Sequence, residues 1–219
     1  MIKTIMNIPQ IKSFVRSAAD VPVALDRAEV PFTKINQVNW PDSYPFCPEV
    51  EFRMAYNDMA LLLHYRVKEP VVRALFGRDG GEVWTDSCVE FFSIPAGDDI
   101  YYNLECNCIG TVLLAAGPDR NHREHAAPDT TGSIQRWASL GRQPFGQKEV
   151  KEEWQVALIV PYTAFFKHRI RSMKGRTIKA NFYKCGDALP TPHFLSWHPI
   201  RLETPNFHCP EFFGELQFE

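Results

Sequence analysis

Residues 83–92 read VWTDSCVEFF, a run of strand-forming side chains that also carries Asp86 and Glu90. Two carboxylates in one strand raise two chemistries: paired acid–base work on a glycosidic bond, or hydrogen bonding to the hydroxyls of a neutral polar ligand. Spacing decides against the first for this pair. Four residues of extended chain separate the alpha carbons by about 13 Å. Glycoside hydrolysis needs carboxyl groups about 5–5.5 Å apart for retention or about 6.5–9.5 Å for inversion. Glu105, further along the chain, is a carboxylate that Glu90 could meet across two strands. Alternation puts Trp84, Asp86, Cys88, Glu90 and Phe92 on one face, and Val83, Thr85, Ser87, Val89 and Phe91 on the other. The first set is a poor core, because a buried carboxylate needs a partner or loses its charge.

Two further stretches repeat this mixture. In YYNLECNC, Tyr102, Leu104, Cys106 and Cys108 share an apolar face while Tyr101, Asn103, Glu105 and Asn107 share a polar one. In residues 179–185, Ala180 and Phe182 oppose Asn181 and Tyr183. Faces built from amides, carboxylates and flat rings suit a hydroxyl-rich ligand, whose hydroxyls want bidentate partners and whose C–H face wants a ring. An antiparallel sheet with one wet face satisfies the same alternation, and so does a surface that meets another protein.

Other chemistry has weaker support. Asp119, His122 and His125 sit in a polar loop and His208 precedes Cys209, which leaves a metal- or haem-binding protein as an alternative. His198 and His208 read as hydrogen-bonded packing residues. The six cysteines have no zinc spacing, and they read as thiols in a domain large enough to fold without disulfides. No P-loop, dinucleotide fingerprint or nucleophile elbow is present, and no catalytic residue is assigned.

The elements that must position these side chains are strands. EVEFRMAY (49–56) and LLLHYRV (61–67) predict a hairpin across Asn57-Asp58. A strand is expected over 83–94, a long strand or a bent pair around Gly110 over 101–117, and further strands over 152–162, 177–185 and 214–219. Glu69 to Phe76 predicts a turn or two of helix, and Ala164 to His168 another short one. Residues 118–147 are polar and without period, a loop long enough to suggest a functional role. Short strands and 17 prolines argue for an all-β antiparallel sandwich, jelly-roll or immunoglobulin-like, with one or two short helices. The 219 residues, 45% hydrophobic with 16 Phe, suit one domain over 1–219, with 1–20 as an edge strand or arm. Lys plus Arg is 24 against 26 Asp plus Glu, so neither nucleic acid nor an anionic membrane is an expected partner. No signal-peptide-like apolar run opens the chain, which points to the cytoplasm.

In order, VWTDSCVEFFSIP, YYNLECNCIG, KANFYKCG, SWHPI and PNFHCPEFFGELQFE resemble carbohydrate-binding module family 9, from about residue 20 onward. The resemblance implies a β-sandwich that holds a mono- or oligosaccharide between two aromatic rings, non-catalytically, with carboxylate and amide side chains on its hydroxyls. By motif it makes Trp84 one ring, Glu90 the carboxylate, Asn107 and Asn181 amides, Lys184 the basic position and Trp197 the second ring. Asn103, Glu105 and Tyr183 complete the candidate ligand-binding set from the shared faces. Members often carry structural calcium, for which no oxygen-ligand run is visible here. By analogy, the protein would serve polysaccharide or oligosaccharide use beside a glycoside hydrolase or a transport system.

Overall fold

The structure, a computed structural model, describes residues 5–12 and 15–219. Among them sixteen strands, numbered along the chain, form three sheets. The large sheet runs β1 (Ile5–Ile8), β16 (Gly214–Phe218), β14 (Thr177–Cys185), β7 (Cys88–Ile94), β8 (Tyr101–Asn107), β9 (Val112–Gly117) and β10 (Glu124–His125). β15 (Phe194–Ser196) pairs the end of β14, and β3 (Gln37–Val38) pairs β15. The second sheet runs β11 (Gln135–Ala138), β13 (Trp154–Pro161), β5 (Ala60–Lys68), β4 (Glu49–Tyr56) and β2 (Thr33–Lys34). β6 (Val71–Ala74) and β12 (Phe145–Glu149) form a small separate ribbon. Pairing between these strands is antiparallel except for β1 beside β16, and an isolated parallel bridge joins Gln10 to Tyr56. The fold is a β-sandwich, as the sequence predicts.

Period-two alternation builds the core. Trp154, Val156, Leu158 and Val160 of β13 join Phe52, Leu61 and Leu63 of the second sheet. They meet Val89, Phe91, Leu104 and Phe182 of the large one. The rings of Phe52 and Phe182 stack across the layers, centroids 3.7 Å apart. Burial of each such side chain contributes about 1.5–3 kcal/mol. The expected β4–β5 hairpin is present, and Asn57 closes it: its Oδ1 accepts the Met59 and Ala60 amides, each at 2.9 Å. α1 (Val21–Arg27) covers the outside of the second sheet, with Val21, Ala24 and Leu25 on Ala55, Leu62 and Ala157. Of the expected N-terminal arm, Ile5–Ile8 does form an edge strand, whereas residues 1–4 and 13–14 lie outside the described residues.

Four expectations are corrected. Residues 69–76 are not helical: Val71–Ala74 pairs β12 across the chain, a partner invisible locally. Only a 3-10 turn, Tyr162–Ala164, replaces the helix expected at 164–168. The stretch 118–147 is not structureless, because it holds β10, α2 (Pro128–Ser133), β11 and the start of β12. Finally, residues 83–87 are not strand. Val83–Thr85 forms a 3-10 turn, closed by Thr85 N–H on Glu82 O and Asp86 N–H on Val83 O, and β7 begins at Cys88.

The outer face of the large sheet is roofed rather than wet. Trp40, Phe207 and Phe213 from the flanking loops pack on Phe92, Tyr101 and Tyr183. Tyr183 and Phe207 stack at 4.2 Å, and the Tyr183 hydroxyl donates to Phe207 O at 3.2 Å. Trp40 Nε1 donates to Leu202 O at 2.7 Å, which ties the two covering loops together.

Candidate functional site

Beneath the roof lies a cavity of about 140 Å³, above the middle of the large sheet. At roughly 10–15 Å³ per water-sized group, it holds on the order of ten such groups, the size of one hexose. Its floor is two carboxyls. Glu90 on β7 and Glu105 on β8 are direct cross-strand partners, both 3% exposed. Alternation puts them there: Cys88 and Phe92 flank Glu90 on the roofed face, while Val89 and Phe91 enter the sandwich core. Cys185 Sγ donates to Glu90 Oε1 at 3.0 Å, and Asn103 Nδ2 donates to Glu105 Oε1 at 2.9 Å. Glu105 Oε2 is buried with no hydrogen-bond partner. Burial holds both carboxyls above their ordinary range, and Glu90 is raised further by facing Glu105. Such a pair can both donate to and accept from ligand hydroxyls.

The walls are aromatic and the rim is charged. Trp84, Phe194 and Phe207 line the sides, with Arg120, Arg123, His125, Asp187 and His208 among the other lining residues. Trp84 hangs from the 3-10 turn, which is stitched to the end of β14 by Asp187 N–H on Trp84 O and Ala188 N–H on Thr85 O, each 3.2 Å. The arginines arrive on the tight return between β9 and β10. A Cβ on Gly117 would lie 2.2 Å from His122 O, so only glycine permits that return. Arg123 Nε donates to Arg120 O at 2.9 Å. His208 Nδ1 shares a 2.8 Å hydrogen bond with the Tyr101 hydroxyl. Burial, then the charges of Arg123 and Arg120, lower the His208 pKa to about 3 and keep the ring neutral.

The expected site residues divide. Trp84, Glu90 and Glu105 meet in the cavity, and Asn103 orients Glu105 from behind. Asn107 instead binds Phe76 O at 2.8 Å, Asp86 Oδ2 at 3.0 Å and the Thr111 amide at 2.9 Å, holding the β8–β9 turn. Asn181 is engaged by the backbone of His198 and by the Phe182 amide. Tyr183 lies beneath Phe207. Lys184 points the other way, fully buried, with its Nζ 3.0 Å from Glu69 Oε2 and 2.7 Å from His193 Nε2. Trp197 packs edge-on against Phe52 and Phe182. It lines a separate groove of about 850 Å³ with Asn36, Gln37 and Phe212, and the rings that line the cavity beside Trp84 are Phe194 and Phe207. Asp86 points at neither: it accepts the Leu75 and Phe76 amides, each at 3.0 Å. Sequence reasoning missed Arg120, Arg123, Asp187, Phe194 and Phe207; the polarity of residues 118–147 was a signal for the two arginines, and the other three had none. Asp119 and His122 bind each other on the surface, while His125 reaches the cavity.

A family model described as carbohydrate-binding family 9 matches residues 19–218. A crystal structure from Bacteroides uniformis ATCC 8492, described as a candidate carbohydrate-binding protein, is 46% identical. It superposes with a TM-score of 0.96 over 99% of this chain and 100% of that one. Two structures of a family 9 carbohydrate-binding module from Caldicellulosiruptor kristjanssonii share the fold at 13% identity. The glucose complex has a TM-score of 0.63, covering 99% of this chain and 96% of that one. The cellotriose complex has a TM-score of 0.65, covering 99% and 94%. No curated protein matches the chain.

Proposed function

Because the chain belongs to carbohydrate-binding family 9, we propose that the cavity above Glu90 and Glu105 binds one sugar residue, free or at the end of an oligosaccharide, without cleaving it. One observation carries this reading: two buried carboxyls face each other on the floor of a hexose-sized cavity walled by Trp84 and Phe207. The Trp84 ring stacks on the C–H face of the sugar. Glu90 and Glu105 exchange hydrogen bonds with adjacent hydroxyls, and Glu105 Oε2 gains the partner it lacks in the free protein. A cavity of about one hexose's size suits a terminal residue better than a chain interior. Since the C. kristjanssonii module is described in complex with glucose and with cellotriose, glucose and its β-linked oligomers head the candidates. In this role the protein presents saccharide to a glycoside hydrolase or a transport system.

The test is titration of intrinsic Trp fluorescence and heat with mono- and oligosaccharides, with calcium and with chelator. A saturable signal lost in Trp84→Ala and weakened at least tenfold in Glu105→Gln is expected, with circular dichroism unchanged. Absence of any response across the panel, or full affinity in Trp84→Ala, overturns the reading.

A further inference from the structure

Beside Glu90 lie two thiols that saccharide binding does not use. Cys88 on β7 and Cys185 on β14 are direct cross-strand partners, and Cys88 is two residues before Glu90 on the same face. The two sulfurs and a Glu90 oxygen all lie within 4.8 Å of one another. Exposures of 0%, 1% and 3% make this a buried cluster, yet Cys185 and Glu90 also line the cavity. The unpartnered, buried Glu105 Oε2 lies across the same floor. We propose that Cys88, Cys185 and Glu90 form a binding site for a thiophilic divalent cation, with Zn2+ as the representative ion, whose fourth position opens into the cavity.

The donor set selects the ion. Thiolates favour Zn2+ and its soft relatives, whereas calcium and magnesium require oxygen ligands. Three protein ligands with one open position is the arrangement of zinc sites that also hold water or a ligand. Without a cation the thiols stay protonated, since burial pushes Cys88 up to about 12 and Cys185 well above the ordinary thiol range. Coordination removes those protons, so each Zn2+ bound releases two thiol protons to solvent.

A disulfide is the rival for two opposed cysteines, because their alpha carbons fall about 4.5–5.5 Å apart in an antiparallel pair, within disulfide range. It fits this site less well. Cys185 donates to Glu90 Oε1 at 3.0 Å, and oxidation would remove that donor from a buried carboxyl. A cation satisfies the carboxylate and both sulfurs together.

The test uses the full chain, reduced and freed of metal by a chelator, then titrated with Co2+ and back-titrated with Zn2+. Expected is one equivalent of Co2+ with near-ultraviolet thiolate charge-transfer absorption, bleached by Zn2+, and at least two protons released per ion in weak buffer, the two from the thiols and any that Glu90 carries. Cys88→Ser and Cys185→Ser should each weaken binding by more than the roughly 10–100-fold that loss of an outer-shell partner costs. Cys47→Ser, at the exposed cysteine, should change nothing. Absence of stoichiometric uptake by the reduced parent chain overturns the proposal whether or not the variants fold. So does a charge-transfer band that survives in both serine variants or vanishes in Cys47→Ser. The inference does not rest on saccharide binding, and cobalt absorption and saccharide titration in chelator are read separately, so each can fail alone.

Discussion

Replacing Lys184 by Met separates a fold role from a ligand role at a position where the family resemblance expects a ligand contact. Lys184 is fully buried, and its ammonium is fully engaged. Nζ donates to Cys185 O at 2.8 Å and to His193 Nε2 at 2.7 Å, and pairs with Glu69 Oε2 at 3.0 Å. That last contact is an ion pair off hydrogen-bond angle, so charge rather than directed bonding holds Glu69 there. Glu69 Oε1 accepts from Trp154 Nε1 at 2.8 Å. Burial, reinforced by the ammonium, lowers His193 to about 3 and keeps it a neutral acceptor. Lys184→Met therefore strands a carboxylate whose side chain is 1% exposed. Leaving one buried charge unpaired costs about 3–5 kcal/mol. At about 2–4 °C per kcal/mol for a chain of this size, calorimetry should show the melting temperature falling by roughly 6–20 °C. The double variant with Glu69→Gln removes both charges and keeps an acceptor for Trp154, so it should recover to within about 2 kcal/mol of the parent. Saccharide affinity of the folded single variant should match the parent, because Lys184 lies on the sandwich side of β14 and the cavity on the other. A Lys184→Met protein that melts like the parent but no longer binds saccharide would refute this reasoning.

Two further outcomes follow from buried groups. Asp86 is fully buried and accepts the Leu75 and Phe76 amides and Asn107 Nδ2, each at 3.0 Å, with Arg73 Nε at 3.6 Å. Asp86→Asn turns one acceptor into a donor facing donors, so urea unfolding should show a loss of about 1–3 kcal/mol, and an unshifted midpoint would contradict the assignment. His64 is 2% exposed, and burial, then Arg53 and Arg66, lower its pKa to about 4. The unfolded chain takes up this proton near pH 6.5 and the folded chain only near 4, so stability drains as pH falls through that window. At about 1.36 kcal/mol per pH unit the His64 share is of order 3 kcal/mol. Glu90 and Glu105, raised by burial, pull the other way, so the readout is the difference in slope between the parent and His64→Gln. Equal slopes between pH 6.5 and 4 would refute the assignment.

Where pairing is local, the sequence announces it. Asn57-Asp58 between two alternating runs specifies the β4–β5 hairpin, because the Asx turn and the strand period agree. Trp154, Val156, Leu158 and Val160 need only period two to be placed in the core. β6 had no such signal. Val71–Ala74 is short, and its partner Phe145–Glu149 is some seventy residues away, so local propensity was free to suggest a helix. The 3-10 turn at Val83–Thr85 was hidden for a related reason. Asp86 is drawn to the amides of Leu75 and Phe76, a tertiary contact that overrides the strand propensity of its neighbours.

Alternation tells which side chains share a face, and says nothing of what lies on top of that face. Asn103, Glu105, Asn107, Asn181 and Tyr183 do share the outer face of the large sheet, yet the 194–213 segment covers most of it. An amide under such a roof spends its hydrogen bonds on backbone, as Asn107 and Asn181 do. Glu105 is satisfied only in part, since Oε1 accepts from Asn103 Nδ2 while Oε2 finds no donor. Among the polar residues of this face, then, those with unmet hydrogen-bonding capacity mark where a ligand belongs. By that criterion the proposed saccharide site centres on Glu105, whose Oε2 has no partner, and on its neighbour Asn103, whose Oδ1 has none either, beside Glu90 and Trp84. Lys184 shows the same rule from the other face: a buried ammonium hydrogen-bonded to Cys185 O and His193 Nε2 and paired with the Glu69 carboxylate is committed to the fold.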